Sequence, residues 1–142
     1  MTSYTSDYPS TDFDADFKKF FEEFYATSDT PDAHDKYADS FTEDATLIMA
    51  SKKAKGRSEI LALRKGLWEK VSGRLHKPLK VFPYGANADE VMLFGTVDYE
   101  LKDGRKANVD WSAHAHLVKQ EGKVKMDFYQ VYLDSAAQNP SK

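Results

Sequence analysis

Asp127 and Tyr129 stand two apart in the run KVKMDFYQVYL, and alternation along a β-strand puts two such side chains on one face. A carboxyl group beside a phenol is equipment for proton transfer. Enclosed among Phe and Trp, the carboxyl loses hydration, its pKa rises, and it can exchange a proton with a bound molecule near neutral pH. The competing reading is a solvated Asp near a strand end and a core Tyr. A buried Asp127 beside a phenol would support an enzyme, and a solvent-exposed one a binder. His114 and His116, also two apart, share a face with Asp110. A divalent metal needs a third ligand in fixed geometry, so these are expected to be surface or interface histidines and no metal is expected. Lys52, Lys53, Lys55 and Arg57 form a short basic cluster, either a solvated loop or a rim for an anionic ligand. The chain has no cysteine, which removes thiolate catalysis, disulfides and cysteine zinc sites. It also lacks a glycine-rich phosphate loop, and no cofactor is expected.

The elements that must position these groups can be read from periodicity. Residues 1–12 form a polar arm expected to be flexible, 13–134 a single domain, and 135–142 a polar tail. Thr11 is the expected cap of a first helix, whose Phe13, Phe17, Phe20 and Phe24 form a stripe widened by Phe21 and Tyr25. A second helix opens at Thr30-Pro31 and buries Ala33, Tyr37 and Phe41. A strand over 45–50 and a basic loop over 51–55 lead to a third helix, from Arg57 to about residue 72. Its core stripe is Ile60, Leu63, Leu67 and Val71, with Leu61 and Trp68 beside it, and Gly73 is placed just past its end. A strand over 75–82 contains Pro78, which calls for an edge or a bulge. Three long antiparallel strands follow between 91 and 133.

Asp103-Gly104 is the signal for a two-residue hairpin turn, which would pair Lys102 with Arg105. One face of that hairpin then carries Met92, Phe94, Thr96, Asp98, Val109, Trp111, Ala113 and Ala115. The other carries Val91, Leu93, Val97, Tyr99, Asp110, Ser112, His114 and His116. The first face, large apolar groups among two alanines, is assigned to a pocket. The second is assigned to a homodimer interface through Leu93, Val97 and Tyr99, which would otherwise form an exposed apolar band. The last turn leaves two registers open. A tight Glu121-Gly122 loop sets Asp127 and Tyr129 on the face of His116 and His114; a three-residue loop with a left-handed Gly122 sets them on that of Trp111 and Ala113.

The order of elements, the phrase YADSFTEDATL, the GRSEI that opens the third helix and the terminal GKVKMDFYQVYLD resemble the nuclear transport factor 2-like (NTF2-like) superfamily, in its SnoaL-like branch. The run ATLIMASKKAKGRSEILALRKGLWEKV is similar to fungal members of that branch. The resemblance covers about residues 13–134. It implies an α+β fold, a cone-shaped curved mixed or antiparallel sheet wrapped on three N-terminal helices, the cystatin-like α+β barrel. It says less about activity, because the scaffold hosts isomerases, cyclases, dehydratases, epoxide hydrolases and non-enzymatic binders. In SnoaL-like cyclases the catalytic acid lies six positions after the Gly-Lys lysine, here Tyr129, which favours the register that turns Asp127 inward. The resemblance places Tyr25 at the oxyanion-donor position of the related ketosteroid isomerases, Met49 where those enzymes carry their base, and Ala115 near their second acid. Steroid isomerisation by that mechanism is not expected. Scytalone-dehydratase-like relatives use two pocket histidines, and His76 on the preceding strand is the residue able to supply a partner.

With 142 residues, a net charge of −3 and 13% aromatic residues, the chain suits one domain with a sizeable core and gives no reason to expect nucleic acid. No apolar stretch reaches membrane-spanning length, and a cytoplasmic protein with no membrane partner is expected. The expectation for function is a homodimeric binder of a small hydrophobic, aromatic or polyketide-like molecule, acting as a cofactor-free isomerase, cyclase or dehydratase. Asp127, Tyr129 and Tyr25 are the expected catalytic groups. Trp111, Phe94, Met92, Met49 and Trp68 are the expected binding groups. The alternative is a non-catalytic ligand-binding or protein-interaction domain.

Overall fold

A computed structural model describes residues 4–136. Among these residues, helices α1 (Ala15–Ser28) and α2 (His34–Asp39) precede strands β1 (Phe41–Met49) and β2 (Lys52–Lys55). Helix α3 (Arg57–Leu67) and strands β3 (Val71–Pro83), β4 (Glu90–Leu101), β5 (Lys106–Gln120) and β6 (Lys123–Leu133) follow. The strands make one sheet in the order β2-β1-β6-β5-β4-β3, in which β1 runs parallel to β6 and the other pairs are antiparallel. The α+β class is as expected, with an open sheet that ends on β2 and β3 rather than closing into a barrel.

Boundaries differ from the periodicity reading for local reasons. Asp14, not Thr11, caps α1, its carboxylate accepting from the Asp16 backbone N–H at 2.8 Å. The buried face of α1 is Phe17, Phe21, Phe24 and Tyr25, while Phe13 and Phe20 are only partly covered. Each full burial contributes about 1.5–3 kcal/mol, which makes this face the anchor of the core. Helix α2 starts only at His34, after Pro31. The basic loop is strand β2, paired with β1, and Arg57 is tied to Asp39 and Asp35 of α2. Helix α3 stops at Leu67, so Val71 and Gly73 belong to β3. Pro78 does sit on an edge strand beside a register shift. Residues of the N-terminal arm lie along that edge: the Asp7 N–H donates to the Leu79 carbonyl at 2.8 Å and Tyr4 reaches Asp29. Residues 1–3 of the arm and 137–142 of the tail fall outside the described residues.

The two hairpins carry the main surprise. Their expected turn types are exchanged. At β4–β5 the loop has three residues, with Gly104 left-handed (φ 93°), the Leu101 N–H on the Arg105 carbonyl, and the Asp103 carboxylate accepting from the Arg105 N–H. Gly95 therefore faces Trp111, Leu93 faces Ala113 and Val91 faces Ala115. Trp111, Ala113 and Ala115 point inward as expected, but their companions are Val91, Leu93, Val97 and Tyr99, all buried. Met92 and Phe94 lie on the outer face, each 40% exposed. The expected dimer residues Leu93, Val97 and Tyr99 are thus core. At β5–β6 the loop is the tight pair Glu121-Gly122, both with positive φ. By itself that loop would turn Tyr129 outward. A bulge at Asp127 intervenes: Leu117 pairs with Met126, His116 with Phe128, and Tyr129 comes to face Ala115 on the inner side.

Candidate functional site

Between α1 and the inner face of the sheet is a cavity of about 30 Å3, walled by Phe24, Tyr37, Met49, Tyr99, Trp111 and Tyr129, with Arg74 and His76 from β3. As it stands it has room for roughly one or two waters, so a metabolite requires the aromatic wall to part.

Its chemistry is concentrated at His76. The end of α1 leaves Asp29 in its C-cap, one residue past the last helical turn. There one carboxylate oxygen meets His76 Nδ1 at 2.6 Å, and the other accepts from the His76 backbone N–H at 2.8 Å and the Tyr4 hydroxyl at 2.8 Å. Only 15% of the His76 side chain and 6% of that of Asp29 are exposed. Since a carboxylate can only accept, Nδ1 carries the proton and Nε2 the lone pair. Nε2 has no partner among the described residues. Burial lowers the His76 pKa, opposed by the hydrogen bond and charge of Asp29, so the imidazole is neutral at pH 7. A neutral, oriented imidazole at the wall of an aromatic cavity has the chemistry to accept a proton.

Beside it, the Tyr25 and Tyr129 hydroxyls lie 2.7 Å apart, and both phenols are held well above their ordinary pKa, chiefly by burial. One O–H proton serves the pair and the other remains for a third oxygen. Tyr129 lines the cavity, while Tyr25 packs behind it, its ring 5.2 Å from that of His76 and 5.3 Å from Trp111.

Of the residues singled out from sequence, Tyr129, Trp111 and Met49 line the cavity and Tyr25 supports Tyr129. Trp68 stacks on Arg64 and Arg74 one layer further out. Met92, Phe94 and Asp127 are on the opposite face of the sheet. Asp127 is 40% exposed and bonds His116 Nδ1 at 2.7 Å, not a phenol. His116 also meets Asp89, and His114 meets Glu90. The desolvated carboxylate expected at Asp127 is instead Asp29, which the sequence reading missed. A carboxylate immediately before the second helix's expected opening at Thr30-Pro31 carries no local signal; only its contact with His76, 47 positions away, singles it out.

No protein-family model and no curated protein matches this chain. Solved structures do. A scytalone dehydratase candidate from Novosphingobium aromaticivorans superposes with a TM-score of 0.74 at 16% identity, covering 83% of this chain and 81% of that one. A hexachlorocyclohexane dehydrochlorinase, LinA type 2, gives 0.71 at 15% identity, covering 84% of each chain. Nuclear transport factor 2 from Cryptosporidium parvum gives 0.66 at 18% identity, covering 88% of this chain and all of that one. These neighbours lend no support to a fungal source. They share architecture rather than close sequence: the chain has the NTF2-like fold.

Proposed function

We propose that this protein is a cofactor-free acid–base enzyme that removes a proton from carbon in a small aromatic or polyketide-like molecule, leading to elimination, isomerisation or cyclisation. The observation that carries the reading is the buried Asp29–His76 pair at the wall of an aromatic cavity. His76 Nε2 takes the proton, and Asp29 holds the tautomer and stabilises the imidazolium that forms. Tyr129, kept in place by Tyr25, donates to the oxygen on which charge develops. Asp127 has no part in this scheme, since it lies outside the cavity. Neighbours of the same fold described as a scytalone dehydratase candidate and a dehydrochlorinase support elimination chemistry as the class.

The test is hydrogen–deuterium exchange at activated C–H positions of cyclic and aromatic ketones in D2O, followed by NMR. The native chain is expected to speed exchange, and His76→Gln to lower that rate by about 10²–10⁴. Ligand binding without exchange in the native chain would favour the non-catalytic reading instead.

The outer face of the sheet supports a homodimer as the assembly. Phe82 pairs with Met92, and Phe94 lies in one row with Ser112 and Tyr132, so four large apolar side chains form an exposed patch across β3 to β6. Lys80 stands opposite Phe94 and Asp110 opposite Thr96, so charge of both signs lies near the patch and a second copy can offer its opposite.

A further inference from the structure

Two guanidinium groups are enclosed beside the cavity, and neither has a carboxylate partner among the described residues. Arg64 is explained by the fold. It donates to the Ser28 carbonyl at 2.7 Å and the Thr30 carbonyl at 2.6 Å, neutralising the negative end of α1, and lies over Tyr37. Arg74 is not explained in this way. Its one hydrogen bond is from Nη2 to the Leu67 carbonyl at 2.8 Å. Its guanidinium lies between the rings of Trp68, 4.6 Å away, and Tyr99, 5.3 Å away. Those π faces offset part of the cost of burial, but they do not accept in-plane N–H groups.

Four buried side-chain nitrogens lack a hydrogen-bond partner among the described residues: Arg74 Nε, Trp68 Nε1, Arg64 Nε and His34 Nδ1. Of their residues only Arg74 lines the cavity, and the Trp68 ring lies against its guanidinium. An Arg74 with one carbonyl acceptor, an unpaired Nε and no carboxylate partner is completed by an anion, because an unpaired buried cation is expensive and a carboxylate matches the guanidinium fork. Arg74 lines the cavity, and together with Leu67 and Tyr99 it also lines an open groove on the other side. The groove's charged residues are Lys52, Lys70, Lys102 and Arg105 against Glu69 and Asp103, the last of which pairs with Arg105. This basic surplus draws anions toward the partition formed by Leu67, Arg74 and Tyr99.

We propose that the cavity takes a small aromatic carboxylate, whose carboxylate group is held by Arg74 and whose ring lies among Tyr37, Tyr99 and Trp111. Arg74 and His76 are two apart on one strand, with backbone positions roughly 6–7 Å apart. A molecule gripped at its carboxylate by the first thus presents a carbon about one ring away to the second. The proposal rests on the reading of this cavity as a ligand site. It adds the charge of the ligand and its route of entry.

Titration calorimetry and NMR of the native chain with benzoate and 1-naphthoate, against benzamide and 1-naphthamide, test it. The carboxylates are expected to bind at least tenfold more tightly than the matching amides and to shift the Trp68 indole N–H resonance. Arg74→Gln should erase that preference. His76→Gln should keep it while losing proton exchange, so failure of the catalytic reading and failure of this one look different. Should Arg74→Gln not fold, the native chain decides. Carboxylates no tighter than amides, no binding of either, or an unmoved Trp68 resonance would overturn the proposal.

Discussion

At the scale of single residues, the same chemical type behaves in opposite ways on the two faces of one sheet. His76 is enclosed and its pKa is lowered by burial; His116 is more open, and there the hydrogen bond and charge of Asp127, with those of Asp89, outweigh a desolvation that pulls the other way and raise it. This separates the proposed base from a surface ion pair. It also sets the pH dependence of any proton abstraction. With a lowered pKa, His76 stays deprotonated through neutral pH, so kcat/KM should be level there and fall only in acid, below the ordinary histidine value of 6.5. Because Asp29 acts to raise the His76 pKa, Asp29→Asn should move that acid limb to still lower pH and reduce the plateau at least tenfold, the base being weaker and less well oriented. A limb unmoved in Asp29→Asn, measured as a full pH–rate profile, would assign the titration to another group.

At the scale of elements, glycines show how strands and helices tolerate the same residue for different reasons. Gly95 on β4 lies against its neighbours so closely that a Cβ there would fall 2.3 Å from the Lys77 carbonyl and 2.9 Å from the Trp111 ring. That absence of a side chain lets Trp111 cross β4 and donate to the Thr96 carbonyl at 3.0 Å. Gly66, inside α3, meets nothing within 4 Å. Gly95→Ala should therefore cost about 1–3 kcal/mol through overpacking, and Gly66→Ala should add about 0.5–1 kcal/mol through helix propensity. Opposite displacements of the urea midpoint are the expected readout, and a shared direction would contradict the packing account.

At the scale of the whole molecule, the sheet separates two surfaces of distinct composition. Its inner face meets α1 around the cavity, and its outer face presents Phe82, Met92, Phe94 and Tyr132. Sedimentation at tens of micromolar is expected to find a dimer, and Phe94→Asp to shift it to monomer while leaving carboxylate binding in the cavity unchanged. A native chain that sediments only as a monomer would leave the outer patch without its second copy. Among the described residues no helix is long and apolar enough to cross a membrane.

The α+β class, the order of the long elements, the aromatic core of α1, the edge position of Pro78, and the inward direction of Trp111, Ala113 and Ala115 were legible in the amino-acid sequence alone. Such features rest on periodicity and composition within a dozen residues, which neighbouring chain segments rarely overturn. Tertiary structure decided the rest. Loops of two and of three residues differ by a single position, yet that difference turned Met92 and Phe94 outward and brought Leu93 and Val97 into the core. A bulge at one residue sent Asp127 and Tyr129 to opposite faces although they are two apart in sequence. The Asp29–His76 pair joins a helix end to an edge strand, and the unpaired Nε of Arg74 becomes visible only once its surroundings are known. Both depend on distant segments meeting in space, and no local pattern records that.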